Sequence, residues 1–222
     1  MKKIQCAIII LTILMISKTS SAQQINWRNL NDNKPHIMNV QMGWDYSTVV
    51  GVGYGQKLKT TLPVVLNIEY SSPFGNDMFD DFKTKFGGQA EVVHMENFSV
   101  SVKVYGVFRR YQNDLVRMAS FGSEFSTNFG YYKTNWYIAG DVGFDKAIAT
   151  NIKNSGEMKT VYPDVQDGWY VPTGGNFNLG IVSGYSFSSN DLYLKIGFHV
   201  TEDLRSGPAV PYYLQIGYNR RF

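Results

Sequence analysis

Period-two alternation of apolar and polar residues recurs through most of this 222-residue chain, and nothing else constrains its fold as tightly. In Phe98 to Phe108 the residues Phe98, Val100, Val102, Val104 and Phe108 alternate with Ser99, Ser101, Lys103 and Tyr105. An extended strand sends those two sets to opposite faces. Eight further runs read the same way, on Met38 to Tyr46, Val50 to Tyr54, Leu62 to Tyr70, Ala119 to Phe129, Trp136 to Phe144, Phe177 to Phe187, Leu192 to Val200 and Tyr212 to Phe222. Helical patterning is nearly absent, so the expectation is an all-β fold.

Two all-β solutions accept this pattern. A secreted sandwich would pack the apolar face into a core and leave the other face in water. A closed barrel in lipid would turn the apolar face outward. The second face decides between them. It carries Gly51, Gly53, Gly55, Gly122, Gly130, Gly143, Gly180, Gly184, Gly197 and Gly217, which suit the crowded inner surface of a narrow closed sheet better than a solvated one. Closure also removes the edges that a sheet in hydrocarbon cannot leave unpaired. Past residue 22 no apolar run is long enough for a spanning helix.

The start of the chain reads as an export signal. Lys2 and Lys3 precede an apolar run from Ala7 to Ile16, and Ser20-Ser21-Ala22 gives a small-residue cleavage end before Gln23. Its loss would take three of the 21 basic residues, leaving 18 against 18 acids, so a near-neutral chain gives no reason to expect nucleic-acid binding. The lone cysteine, Cys6, would go with it, and no disulfide is expected. We divide the chain into a signal peptide, 1–22, a periplasmic N-terminal segment, 23–35, and a barrel, 36–222.

Nine strands cannot close a single-chain bacterial barrel with its long loops on one side, because the strand number must be even. A tenth strand is expected between residues 145 and 173, within "AIATNIKNSGEMKTVY", with eight strands as the alternative. Counting on that basis places Trp44, Tyr46, Tyr70, Phe98, Phe129, Trp136, Phe177 and Tyr212 at one rim. Phe108, Phe144, Phe187, Tyr218 and Phe222 fall at the other. Two aromatic belts around an aliphatic waist are what a bilayer selects.

The last twelve residues, "PYYLQIGYNRRF", end on Phe222 with Tyr218, Ile216, Leu214 and Tyr212 in phase behind it. This resembles the C-terminal signal of Gram-negative outer-membrane β-barrel proteins, which the barrel-assembly machinery recognises. Arg220 departs from the pattern, where an apolar residue is usual. The resemblance implies a transmembrane antiparallel up-and-down barrel in the outer membrane, exported through the inner membrane, with outer-membrane lipid and the assembly machinery as its partners.

Candidate sites follow from the inward parity. Glu69, Lys103, Arg109, Glu124, Asp141, Lys195 and His199, with Asp45 and Lys57, should share the lumen. Tight turns would set Glu124 beside both Ser101 and Asp141, with Lys103 bridging the two carboxylates or one of them protonated. Such a network either fills and stiffens the barrel or makes an ion path. Trp169 and Tyr170, between Tyr162 and Gly175, are candidates for stacking on a sugar or gripping a peptide, or for packing over the mouth.

Other chemistries have weaker footing. "GVGYG" at 51 to 55 lacks the lysine and following helix of a phosphate-binding loop. The acids of Gly75 to Gly88 lack EF-hand spacing. No diagnostic metal-ligand spacing and no cofactor motif occur. None of His36, His94 and His199 stands in the His-x-Ser-Asn pattern of lipid A deacylases. The expectation is a non-enzymatic small surface protein with a structural, adhesion-like or porin-like role. A narrow solute channel, and a rim hydrolase of lipid A or peptides using His199, are the alternatives.

Overall fold

The computed structural model describes residues 23–45, 47–74, 79–172, 174–204 and 210–222. Residues 1–22, read as an export signal, lie outside them, as do Tyr46 and residues 75–78. The described chain forms strands β1 (His36–Trp44), β2 (Thr48–Leu58), β3 (Val64–Pro73), β4 (Asp81–Met95), β5 (Phe98–Gln112), β6 (Val116–Tyr132), β7 (Trp136–Asn154), β8 (Gly168–Tyr170), β9 (Gly175–Phe187), β10 (Asn190–Thr201) and β11 (Tyr212–Arg221). Apart from β8, each pairs antiparallel with its sequence neighbours. β1 pairs with β11, with Val40 opposite Tyr218, and so closes a ten-stranded barrel.

The tenth strand is therefore present, but not where the alternation placed it. It is β4, in the gap between the alternating runs that end at Tyr70 and begin at Phe98. Gly87 and Gly88 interrupt its apolar series, and a bulge between Glu91 and Val93 shifts its phase, so period-two counting passes over it. The segment expected to supply a strand does something else. β7 runs on to Asn154, a helix α1 (Gly156–Val161) follows, with the Ser155 side chain accepting from the Met158 amide, and β8 folds back on β7 with Trp169 opposite Asn151.

Moving one strand reverses β5, β6 and β7. Phe98, Phe129 and Trp136 lie at the rim that carries the chain ends, and Phe108 and Phe144 at the opposite rim, the reverse of the expected placement. The turn at 113–115 lies at the upper rim, which also bears the long connections 74–80, 155–174 and 202–211. Long loops mark the extracellular side of such a barrel, and short turns and termini the periplasmic side.

Two aromatic belts remain after this reversal. Around the upper rim Tyr70, Phe82, Phe108, Phe121 and Trp169 form a chain of ring contacts, each pair 5.0–6.1 Å apart. Around the lower rim His36 stacks on Tyr54 and Phe222, Tyr131 meets Trp136, and Tyr185 meets Phe187. Between them Val40, Ile68, Ile181 and Ile196 point outward, each about half exposed at 50–53%. A continuous band of such residues finds its energy minimum in hydrocarbon, not water.

Inward-facing tyrosines fill the concave side. A Cβ on Gly217 would run into the ring of Tyr193, one on Gly184 into Tyr137, and those on Gly180 and Gly197 into Tyr213. The glycines are thus seats for large rings that a barrel this narrow could not otherwise hold.

Candidate functional site: the lumen and its mouth

Of residues 23–35, expected to lie in the periplasm, the first five enter the barrel, while 31–34 stay exposed below the lower rim. Gln23, Gln24, Ile25, Asn26 and Trp27 are all buried. Asn26 bonds to the Lys133 carbonyl at 2.8 Å and to Ser186 Oγ at 2.9 Å, and Arg28 Nε donates to the Tyr132 carbonyl at 3.3 Å, all at the lower rim. Above them Asn219 Nδ2 donates to the Gln24 carbonyl, Lys103 Nζ donates to Gln24 Oε1 at 2.9 Å, and Asn67 Nδ2 donates to Gln23 Oε1. The segment climbs from the rim into the middle of the lumen.

The apolar members of this segment build a small core there. Ile25 and Trp27 pack with Ile37, Val65, Tyr132, Tyr137, Ala139, Val182 and Tyr193, and Leu30 packs against the cluster from the rim. Alternation could not reveal this, since most of these barrel residues sit on the face that should be polar. The local signal that existed was "QQINW", whose amides and Trp27 match a lumen lined with amides and tyrosines.

Above the plug lies a charged layer. Glu124 pairs with Lys85 at 2.5 Å, and Asp141 with Lys195 at 2.7 Å, while Asn128 Nδ2 donates to Asp141 at 2.8 Å. Glu124 lies opposite Tyr105 and Asp145, not Ser101 and Asp141, and Asp141 lies opposite Asn128. Each carboxylate has its own lysine, so Lys103 bridges neither and turns to Gln24. Lys85 lies on β4, outside the nine alternating runs, so parity does not place it in the lumen. Lys57, expected in the lumen, pairs with Asp32 at the lower rim at 2.6 Å, and the ammonium beside it holds the Asp32 carboxyl below its usual range.

The upper third is open. A cavity of about 560 Å³ is lined by Asp45, Lys83, Arg109, Glu124, Lys146 and His199, among others. Arg109 reaches Asp81 through two bonds of 3.2 and 3.3 Å. His199 sets Nε2 3.3 Å from Asp45 Oδ1 and Nδ1 2.5 Å from Asn178 Oδ1, with its ring against Tyr213. Each ring nitrogen therefore faces an oxygen acceptor, one on β9 and one at the upper end of β1. Among the described residues no group of three or more histidine, cysteine, aspartate or glutamate side chains is arranged to hold a metal.

Trp169 and Tyr170 do not lie over the mouth. Trp169 faces outward beside Phe121 and extends the upper belt, and Tyr170 Oη donates to the Gln166 carbonyl. At the other rim Tyr218 and Phe222 point outward as their phase requires, Arg220 is exposed beside them, and Arg221 turns inward to Asp191 at 3.2 Å.

No family model and no curated protein matches this chain. Among solved structures it is similar to the KdgM porin in complex with disordered oligogalacturonate, at 9% identity and a TM-score of 0.43, covering 84% of this chain and 99% of the porin. It is also similar to the β-domain of the Bordetella autotransporter Brka, at 11% identity and a TM-score of 0.42, covering 86% of this chain and 100% of that domain. Closure, strand number, aliphatic waist, aromatic belts and polar interior together give this chain the architecture of a transmembrane antiparallel β-barrel of ten strands.

Proposed function

We propose that the chain serves as a small, closed, porin-like surface barrel whose lumen does not conduct. The observation that carries this reading is the burial of Gln23 to Trp27 inside the barrel, bonded to β3, β4, β5 and β11. Such a plug leaves the mouth cavity as a blind cup open only to the outside. The cup displays acids and bases of both signs, which suits contact with small polar solutes or with surface polysaccharide more than directional transport. The reading is non-enzymatic.

The test is reconstitution of the purified chain in planar bilayers, beside a form lacking residues 24–30. The full chain is expected to show no steps above background, and the shortened one to open discrete steps. Steady conductance by the full chain, equal to that of the shortened form, would overturn the proposal.

A further inference from the structure

Glu69 presents an unbalanced charge. It is buried on β3 at 4% exposure, and among the described residues no lysine, arginine or histidine lies within ion-pair distance of it. The neighbouring ammonium groups are committed elsewhere, Lys85 to Glu124, Lys195 to Asp141 and Lys103 to Gln24. Glu69 Oε1 accepts from the Gln23 backbone nitrogen at 2.6 Å, while Oε2 has no hydrogen-bond partner. A carboxylate buried without a paired cation recovers only part of its lost hydration from one N–H, so the site calls for a positive charge.

The group that touches it is the first residue after the expected cleavage end, Ser20-Ser21-Ala22. An amide there offers one N–H and no charge, whereas an α-ammonium offers three N–H and the missing positive charge. We infer that the chain is cut between Ala22 and Gln23 and that the new α-ammonium is the lumen's own counter-ion to Glu69. In the cut, water adds across the peptide bond. Its hydroxyl goes to the Ala22 carbonyl carbon, and Gln23 nitrogen leaves as an amine that takes up a proton.

Two further features fit this seat. Gly55 faces it, and a Cβ there would meet Gln23 Oε1 at 2.6 Å, so the β2 wall is hollowed where the terminal residue lies. The segment also runs upward from Arg28 at the rim, so Gln23 lies at its inner end, beneath the charged layer of Lys85 and Glu124.

The seat also has a chemical consequence. An amino-terminal glutamine ordinarily closes to pyroglutamate, its α-nitrogen attacking the side-chain amide carbon and expelling ammonia. A protonated amine held on Glu69 has no lone pair for that attack, and the Gln23 amide oxygen is held by Asn67. Gln23 should therefore persist as an open residue.

The experiment is intact-mass measurement of the full gene product purified from outer membranes, followed by amine labelling and peptide mapping. The mass of residues 23–222 with an open amino terminus is expected. The α-amine should label at least about tenfold more slowly in the folded barrel than after unfolding in hot detergent, as a buried group requires. In Glu69→Gln, with folding checked by its gel mobility, that protection should fall. Another starting residue, a mass lower by one ammonia, or equally fast labelling of folded and unfolded chains would overturn the inference. The wild-type mass and labelling rates decide between these outcomes even if Glu69→Gln does not fold. Conductance is not involved, so this result and the closed-lumen reading can fail separately.

Discussion

Lys85 on β4 and Glu124 on β6 meet at 2.5 Å across the intervening β5, forming an ion pair between strands that are not hydrogen-bonded neighbours. Removing one partner leaves the other charged and buried. Lys85→Met is expected to destabilise the barrel by about 3–5 kcal/mol, and the double variant with Glu124→Gln to recover much of that loss. Thermal melting in detergent, followed by the loss of heat-resistant gel mobility, measures both. Equal melting of single and double variants would contradict the pairing.

Lys103 stabilises the plug and not the wall. Its ammonium donates to Gln24 Oε1, so Lys103→Ala is expected to lower the melting temperature through the loss of one charged hydrogen bond, about 1.5–3 kcal/mol. The same variant should expose the 23–30 segment to added protease while the strands stay protected. An unchanged melting temperature would show that this contact does not hold the plug.

At the upper rim Asp167 ties α1 to β7. It accepts from Lys159 Nζ at 2.7 Å through one oxygen and from the Asn154 amide at 2.9 Å through the other. The hydrogen bond from Lys159 leads in lowering its pKa to about 2. A depressed carboxylate adds stability that is complete above its unfolded pKa of about 3.9 and is lost as pH falls through the folded value. In a variant that keeps Trp169 and replaces the other tryptophans with phenylalanine, fluorescence is expected to stay flat from about pH 8 down to about pH 4 and to change only below that. A transition near neutrality would contradict the tie.

Gly217 makes room for Tyr193, whose hydroxyl donates to Gln41 Oε1 at 2.8 Å. Gly217→Ala should cost about 1–3 kcal/mol by overpacking. Tyr193→Leu, destabilising alone, should make the same glycine change much milder. Additive losses in the melting of the double variant would show that ring and glycine do not compete for one space.

The barrel was legible because hydrocarbon and lumen impose one rule on every strand, and nine strands obey it over most of their length. β4 escaped because two glycines and a bulge break the period, and that single omission inverted three strands and hid Lys85. Parity placed Glu124, Asp141 and Lys195 inward, but which lysine meets which acid depends on shear across several strands, which alternation does not encode. The plug left almost no periodic trace. Ile25 and Trp27 are two apolar residues in a polar stretch, and their burial follows from the space the closed barrel leaves them.

Residues 23–222 contain no cysteine, which makes one measurement especially direct. Ile25→Cys, in the plug, and Val171→Cys, at 79% exposure on the upper side, can each be offered a membrane-impermeant maleimide in folded barrels open to both sides. Val171→Cys is expected to label at once, and Ile25→Cys only after unfolding. If the residue at 25 labels in the folded barrel as fast as the one at 171, the amino-terminal segment does not fill the lumen.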